Sequence, residues 1–353
     1  MTLAMLLSIS GGAAAVTTWL GVWAVRAIAP RLGLMDVPNS RSSHSRPTPR
    51  AGGVAFAVTV PLLVLAASAW MGPPLLPGEA ALLVASLVVA AVGLADDRWH
   101  LPVGVRFAAY LLAAGGLLLG VGELHELQWP GATAVALGWA GVPFTLLWVV
   151  GLTNGYNFMD GIDGIAATQA VVAGAAAALL AAGRGDAALA IYCGVVVGGA
   201  LGFLLHNLPP AGIFMGDVGS AFLGFTFAGL AVLSNEAPGR PIPWSVWAIL
   251  LAPFLFDTSL TLAVRVARGE RWYEAHRKHL YQRLVRAGWS HGRVTLLYGV
   301  ADLYLAGLAL AWGWWGLGGA WLAMGVALPL VAILSVVVAM ERWAAGWRMD
   351  GGR

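Results

Sequence analysis

The chain has 353 residues, 59% of them hydrophobic and only 10% charged, with a mean hydropathy of +0.78. Soluble domains carry about 25% charged residues, so this chain lacks the polar surface to cover a water-soluble fold. The single cysteine, Cys193, excludes an intramolecular disulfide framework and a Cys-rich metal site. The net charge of +3 matters less than where the charges lie, and no nucleic-acid partner is expected.

Apolar runs of bilayer-spanning length are expected as helices at 3–29, 52–71, 79–95, 103–121, 138–153, 164–182, 187–205, 218–234, 242–264, 294–313 and 319–340. The fold class is therefore an all-α polytopic membrane protein of about 11 transmembrane helices, organised as one integral-membrane domain over 1–353. The first run lacks a basic leader and a cleavage site, and is expected to be a span and not a removed signal. With eleven spans, 18 of the 20 Lys and Arg fall on one side, leaving only Arg184 and Arg240 opposite. Positive-inside bias puts that side in the cytoplasm, the N-terminus periplasmic and the C-terminus cytoplasmic. The cytoplasmic loops are then expected at about 30–51, 96–102, 154–163, 206–217 and 265–293, and they concentrate the polar residues on one membrane face.

Five stretches on that face stand out. "SSHSRPTPRAGG" (42–53) carries His44, Arg46 and Arg50, and reads equally well as a Pro-rich linker. "LADDRWHLP" (94–102) sets Asp96 beside Asp97; adjacent anions need a counter-charge, such as a hard divalent cation with oxygen ligands, unless they cap the next helix. "NGYNFMDGIDGI" (154–165) repeats Asn154, Asn157, Asp160 and Asp163 every third residue. A three-residue repeat drifts about 60° per step against the 3.6-residue period. Four such side chains exceed what helix capping requires, and glycines between them let a ligand approach the backbone. "IFMGDVGSAFLGF" (213–225) places Asp217 at the start of a span, with Phe214 three residues earlier; Asp217 suits a helix cap or a metal shared with the other carboxylates. "YEAHRKHLYQRL" (273–284) packs His276, Arg277, Lys278 and His279 together, matching phosphate. Ordinary positive-inside charge accounts for Arg265, Arg268 and Arg286.

Carboxylates beside cations at a membrane surface suit a metal-bound polyphosphate, and phosphoryl transfer is largely positioning and electrostatics. The reading from residues alone is metal-dependent transfer between a soluble phosphate compound and a membrane lipid. A secondary transporter is the alternative from another class, but it would place its acids near mid-bilayer, where only Asp257 and Asp302 are expected.

Taken in order, "DVPNSRSSHSRPTPRAGG", "DDRWHLP", "NGYNFMDGIDG", "IFMGDVGS", "FDTS" and "HRKHLYQRL" resemble the signature of the polyprenyl-phosphate N-acetylhexosamine-1-phosphate transferases, over about 30–295. The chain is most similar to the WecA type, which starts O-antigen, enterobacterial common antigen or teichoic-acid linkers. It departs from the MraY-type peptidoglycan translocase, which usually has a three-His run where this chain has His276-Arg-Lys-His279, and that departure speaks against a MurNAc-pentapeptide donor. The resemblance implies transfer of an N-acetylhexosamine-1-phosphate, GlcNAc by default with FucNAc or QuiNAc as alternatives, from its UDP-sugar to undecaprenyl phosphate, with release of UMP. It implies Mg²⁺, with Mn²⁺ able to substitute, at Asp217 and Asp163. It also implies Asp96 and Asp97 as the essential acidic pair, and Asn157, Asp160 and Phe214 in a uridine pocket. His276, Arg277 and His279 would hold the diphosphate and sugar; His44, Arg46 and Arg50 would lie in a substrate-binding basic loop, and Asn154 has the least defined binding role. A homodimer in the inner (plasma) membrane is the accompanying expectation.

Overall fold

The computed structural model describes residues 2–350 apart from 39–45, 71–73, 130–131, 238, 240, 272, 274–275 and 317, and leaves the side chains of 346–350 aside. Its helices are α1 (Leu3–Ile28), α2 (Val54–Trp70), α3 (Pro77–Trp99), α4 (Val103–Val121), α5 (Gly141–Met159), α6 (Ile165–Gly183), α7 (Ala187–Asn207), α8 (Asp217–Asn235), α9 (Trp244–Leu250), α10 (Ala252–Ala267), α11 (Leu280–Arg286), α12 (His291–Trp315) and α13 (Gly319–Asp350). Two short hairpins, β1–β2 (Met35–Asp36 with Thr48–Pro49) and β3–β4 (Glu126–Leu127 with Val135–Ala136), are the strands among the described residues.

Each expected apolar run falls largely on helix, ten on one helix each and 242–264 on two. Among the described residues, eight helices are long and apolar enough to cross a membrane singly, and α9 with α10 makes a ninth if that bent pair is one span. The chain is thus an all-α, multi-pass membrane protein. The expected run 138–153 lies in α5, outside that set, and α2, at 17 residues, falls short of it. The run 242–264 is not one straight span either: it bends by 80° at Leu251, just before Pro253 in the first turn of α10. Proline has no N–H to continue the ladder from α9, so the chain restarts in a new direction.

α8 is the central helix. Almost every residue from Val218 to Ser234 is buried, and α3 and α5 pack along it. A helix apolar on every side belongs inside a bundle. Its N-terminus is thereby fixed at the same level as the C-termini of α3 and α5. Four of the residues expected in loops are in fact helical: Asp96 and Asp97 occupy the last turn of α3, and Asn154 and Asn157 lie within α5, which runs on to Met159. The turn between α5 and α6 is only 160–164. Helix continuity wins because the buried residues Thr153, Gly155, Tyr156 and Met159 keep α5 packed up to its end.

Candidate active site

The site begins where α3 meets α8. At Gly93 a side chain would stand 2.5 Å from the Asp217 carbonyl, so only glycine lets the two helices come this close. One turn later, Asp97 accepts hydrogen bonds from the Asp217 N–H (2.9 Å) and the Val218 N–H (3.2 Å). It therefore caps α8 from a neighbouring helix and satisfies two of the donors that a helix start leaves open. The N-cap itself is Gly216, with φ +77°, and a Cβ there would collide with the Asp97 carboxylate. Segment 49–53 pairs with 214–215 through Phe214 N–H to Pro49 O (2.8 Å), Gly52 N–H to Phe214 O (2.9 Å) and Gly53 N–H to Met215 O (2.9 Å). That pairing delivers Arg50 to Asp97, to which it donates.

Successive residues on a helix point about 100° apart, and Asp96 accordingly faces different partners. It accepts from Leu101 N–H (2.6 Å) and from Arg106 Nη1 (2.6 Å), and the same Arg106 nitrogen donates to Asp217 Oδ2 at 3.0 Å. The adjacent anions do need counter-charge, and two guanidinium groups provide it here: Arg50 for Asp97, Arg106 for Asp96 and Asp217.

The opposite wall is built from the α5–α6 turn and the segment around α11. Asp163 Oδ2 accepts from Ala211 N–H (3.1 Å), and its Oδ1 lies 3.2 Å from His291 Nδ1. At Gly161 a side chain would collide with the Tyr281 hydroxyl, which donates to Phe158 O (2.9 Å) and so ties α11 to this turn. α11 is anchored by Asp257 of α10. This fully buried carboxylate accepts from Leu280 N–H (2.8 Å), Tyr281 N–H (3.2 Å), the Tyr298 hydroxyl (2.7 Å) and the Thr261 hydroxyl (3.2 Å), and stands 3.1 Å from His279 Nδ1. Asp257 is a structural hub, which answers its expected place inside a span without any transport role.

Between these walls lies a cavity of about 310 Å³. Of the residues singled out from sequence, Arg50, Asn157, Asp160, Asp163, Phe214, Asp217 and Arg277 line it together. Asn157 Nδ2 donates to Ser220 Oγ (2.9 Å), itself a lining residue on α8. Burial pushes the Asp160 carboxyl well above the usual carboxylate range, and the nearby Asp217, Asp97 and Asp163 add to that shift.

The remaining expected residues stand elsewhere. Asp96 and Asp97 sit behind the wall, holding Arg106 and Arg50. His279 is buried against Asp257, with the His276 ring 4.8 Å from its own. Burial and the neighbouring His279, Arg265 and Lys278 push His276 down to about 4, so it is neutral near pH 7. Lys278 pairs with Glu270 at 2.5 Å. Asn154 Nδ2 donates to Val150 O of its own helix (2.8 Å), and Arg46 is exposed. His44 lies outside the described residues.

Sequence reasoning did not single out several residues of the site, among them Arg286, Arg106 and His291. Arg286, assigned to ordinary surface charge, lines the cavity with Gln282 and Val285, because these three share one face of α11. Arg106 was only a charge to be counted, and His291 was not considered. No local signal distinguishes any of the three.

No group of three His, Cys, Asp or Glu is placed to enclose a metal among the described residues. The donor set nonetheless fits Mg²⁺, which keeps several waters and takes only one or two carboxylates plus substrate phosphates. Asp163 and Asp217 both offer hard oxygen donors to the same cavity.

A multi-pass helical protein with acidic and basic residues converging at helix ends is the class that fold and site define. Comparison with known proteins is more specific. Residues 80–235 match glycosyl transferase family 4. The decaprenyl-phosphate N-acetylglucosaminephosphotransferase of Mycobacterium tuberculosis (strain CDC 1551 / Oshkosh) is 34% identical over 82% of this chain and 78% of its own length. A probable undecaprenyl-phosphate N-acetylglucosaminyl 1-phosphate transferase of Bacillus subtilis (strain 168) is 29% identical over 89% of this chain and 86% of its own. The undecaprenyl-phosphate alpha-N-acetylglucosaminyl 1-phosphate transferase of Escherichia coli (strain K12) is 27% identical over 83% and 80%. The chain belongs to this family, the polyprenyl-phosphate N-acetylhexosamine-1-phosphate transferases.

Proposed function

We propose that the protein transfers GlcNAc-1-phosphate from UDP-GlcNAc to undecaprenyl phosphate, releasing UMP and forming undecaprenyl-diphospho-GlcNAc. The observation that carries this reading is one cavity lined together by the carboxyl groups of Asp160, Asp163 and Asp217 and the guanidinium groups of Arg50, Arg277 and Arg286. Carboxylates for a hard cation beside guanidinium groups for phosphate oxygens are what a nucleoside diphosphate sugar requires. The relatives' printed activities supply the sugar and the lipid class.

In the proposed reaction an oxygen of the lipid phosphate attacks the sugar-linked phosphorus of the donor. The bond from that phosphorus to the oxygen bridging it to the uridine phosphate breaks, and UMP leaves with that oxygen. The lipid phosphate is already largely ionised near neutral pH (second pKa about 6), so no aspartate needs to deprotonate it. Arg277 and Arg286 hold the diphosphate, Phe214 offers a ring face to the uracil, and Asn157 and Asp160 present hydrogen-bonding groups to the nucleoside. Mg²⁺, bound by Asp217 and Asp163, would neutralise charge on the diphosphate. Asp96 and Asp97 act one layer back: through Arg106 and the N-terminus of α8 they fix where Asp217 points.

Eleven membrane crossings, with the N-terminus outside and this cavity at the cytoplasmic face of the plasma membrane, complete the reading, and a homodimer is its oligomeric form. The test is Asp217→Asn in purified, lipid-reconstituted protein. Mg²⁺-dependent UMP release should be lost while the protein stays monodisperse; full activity in that variant would sink the metal assignment. A panel of UDP-sugars with mass analysis of the lipid product tests the sugar.

A further inference from the structure

Of the four residues 276–279, Arg277 lines the cavity, whereas His276, Lys278 and His279 are held elsewhere. What sets Arg277 apart starts at the end of α10. There the chain closes a turn, with Arg268 N–H donating to Val264 O (3.1 Å) and Glu270 N–H to Arg265 O (3.0 Å), which fixes Glu270 on the helix it follows. Its carboxylate accepts from two cations at once: Arg265 Nε at Oε2 (3.0 Å) and Lys278 Nζ at Oε1 (2.5 Å). The Arg265 side chain is only 5% exposed, and its Nη2 also donates to Arg271 O (2.5 Å). One end of this chain of contacts is therefore a buried, two-pronged anchor. The other is a lysine further along the loop.

Lys278 directly follows Arg277. Its N–H donates to His276 Nδ1 (3.3 Å), which draws together the main chain on either side of Arg277, while its ammonium is pulled back to α10. An arginine on a loose segment must give up conformational freedom each time it grips a phosphate, and a segment already held reduces that cost.

We infer that Glu270 is a positioning residue: bridging Arg265 and Lys278, it closes the loop at its mouth and aims Arg277 at the diphosphate of the donor. This role rests on the proposed reading of Arg277 as a ligand of that diphosphate. The Lys278 arm is 47% exposed, and an ion pair of such exposure is worth up to about fivefold in an equilibrium.

The experiment uses the full-length protein in nanodiscs carrying undecaprenyl phosphate. It follows UMP release against UDP-GlcNAc, with UDP and uridine as competitors. Lys278→Met removes the charge and keeps an apolar stem. It should raise the donor KM and the inhibition constant of UDP by roughly threefold to fivefold, with kcat changed much less. The inhibition constant of uridine, which has no phosphate, should stay at the wild-type value. Glu270→Gln, whose amide oxygen still accepts from Arg265, should do the same. The double variant should be no worse than the more affected single one, because both remove one contact. Lys278→Arg should retain most of the wild-type affinity, since it keeps a charged donor for Glu270. A merely structural loosening of the loop raises the uridine constant as well, and that result overturns the inference. So does a wild-type donor KM in Glu270→Gln. Effects that multiply in the double variant overturn it too, marking Lys278 as a direct ligand of the donor. Arg277→Ala separates the two levels: a wild-type donor KM there refutes Arg277 as a donor ligand, and the inference falls with it. A raised KM there with no change in Glu270→Gln refutes Glu270 alone.

Discussion

Removing the acceptor at Asp257 should undock α11 from the rest of the site. In Asp257→Ala, five donors lose their common partner. The Thr261 and Tyr298 hydroxyls can turn to other acceptors, but the N–H groups of Leu280 and Tyr281 are fixed by the start of α11. Leaving a buried donor unpaired costs about 1–3 kcal/mol, so two cost about 2–6 kcal/mol. Asp257→Asn keeps one acceptor oxygen and turns an NH₂ toward the other site, which leaves one backbone N–H stranded, at about 1–3 kcal/mol. Loss of a buried charge offsets part of that penalty, so Asn should be the milder change. The penalty falls on the docking of α11, which carries Gln282, Val285 and Arg286 to the cavity. If docked and undocked states are near balance, 1–3 kcal/mol lowers the docked-to-undocked ratio by roughly 5- to 150-fold and the docked fraction by roughly 3- to 80-fold, and the donor KM rises as that fraction falls. Measuring UMP release in nanodiscs against donor concentration, with limited proteolysis of 268–290, reads both effects. A wild-type donor KM together with unchanged proteolysis in Asp257→Ala would refute this account of α11.

Two further outcomes follow from the same loop. Arg283 makes a two-pronged ion pair from α11 to Glu341 of α13, with Nε at 2.8 Å and Nη2 at 2.6 Å. The pair is partly exposed, so Glu341→Gln should cost only about 0–1 kcal/mol of stability while raising the donor KM by up to roughly fivefold. The exchanged pair Arg283→Glu with Glu341→Arg should recover part of that loss, as donor saturation curves will show. His276 is held down to about 4 by burial and by His279, Arg265 and Lys278. Below its unfolded pKa of about 6.5, the undocked loop therefore binds a proton that the docked loop resists. The docked loop should be fully stable above pH 6.5 and lose stability as pH falls toward 4. Protease cleavage within 268–290 should rise across that window, and His276→Gln should flatten the rise.

The family signature carried most of the candidate site: seven of the residues it picked out converge on one cavity, although they come from segments far apart in the chain. Its limits are equally specific. Asp96 and Asp97 were legible as an acidic pair in need of counter-charge, but not as the holders of Arg106 and Arg50, because a side chain's partner depends on what packs across from it. Asn154 shared a three-residue repeat with Asn157 but had the least defined role. On a continuous helix the drift of that repeat turned one toward Ser220 and the other onto its own backbone.

By itself, the sequence determined that this chain is helical and lives in a membrane, since hydropathy and span length are local properties that bilayer thickness converts directly into architecture. It also determined which carboxylates, carboxamides and basic residues stand near helix ends. Only the tertiary structure decided the 80° bend between α9 and α10, the entry of Arg286 into the cavity, and the pairing of Arg106 with Asp217 and of His291 with Asp163 across 111 and 128 positions. Those outcomes depend on distances between helices, and a cation's role is set by the charge that packing brings to it.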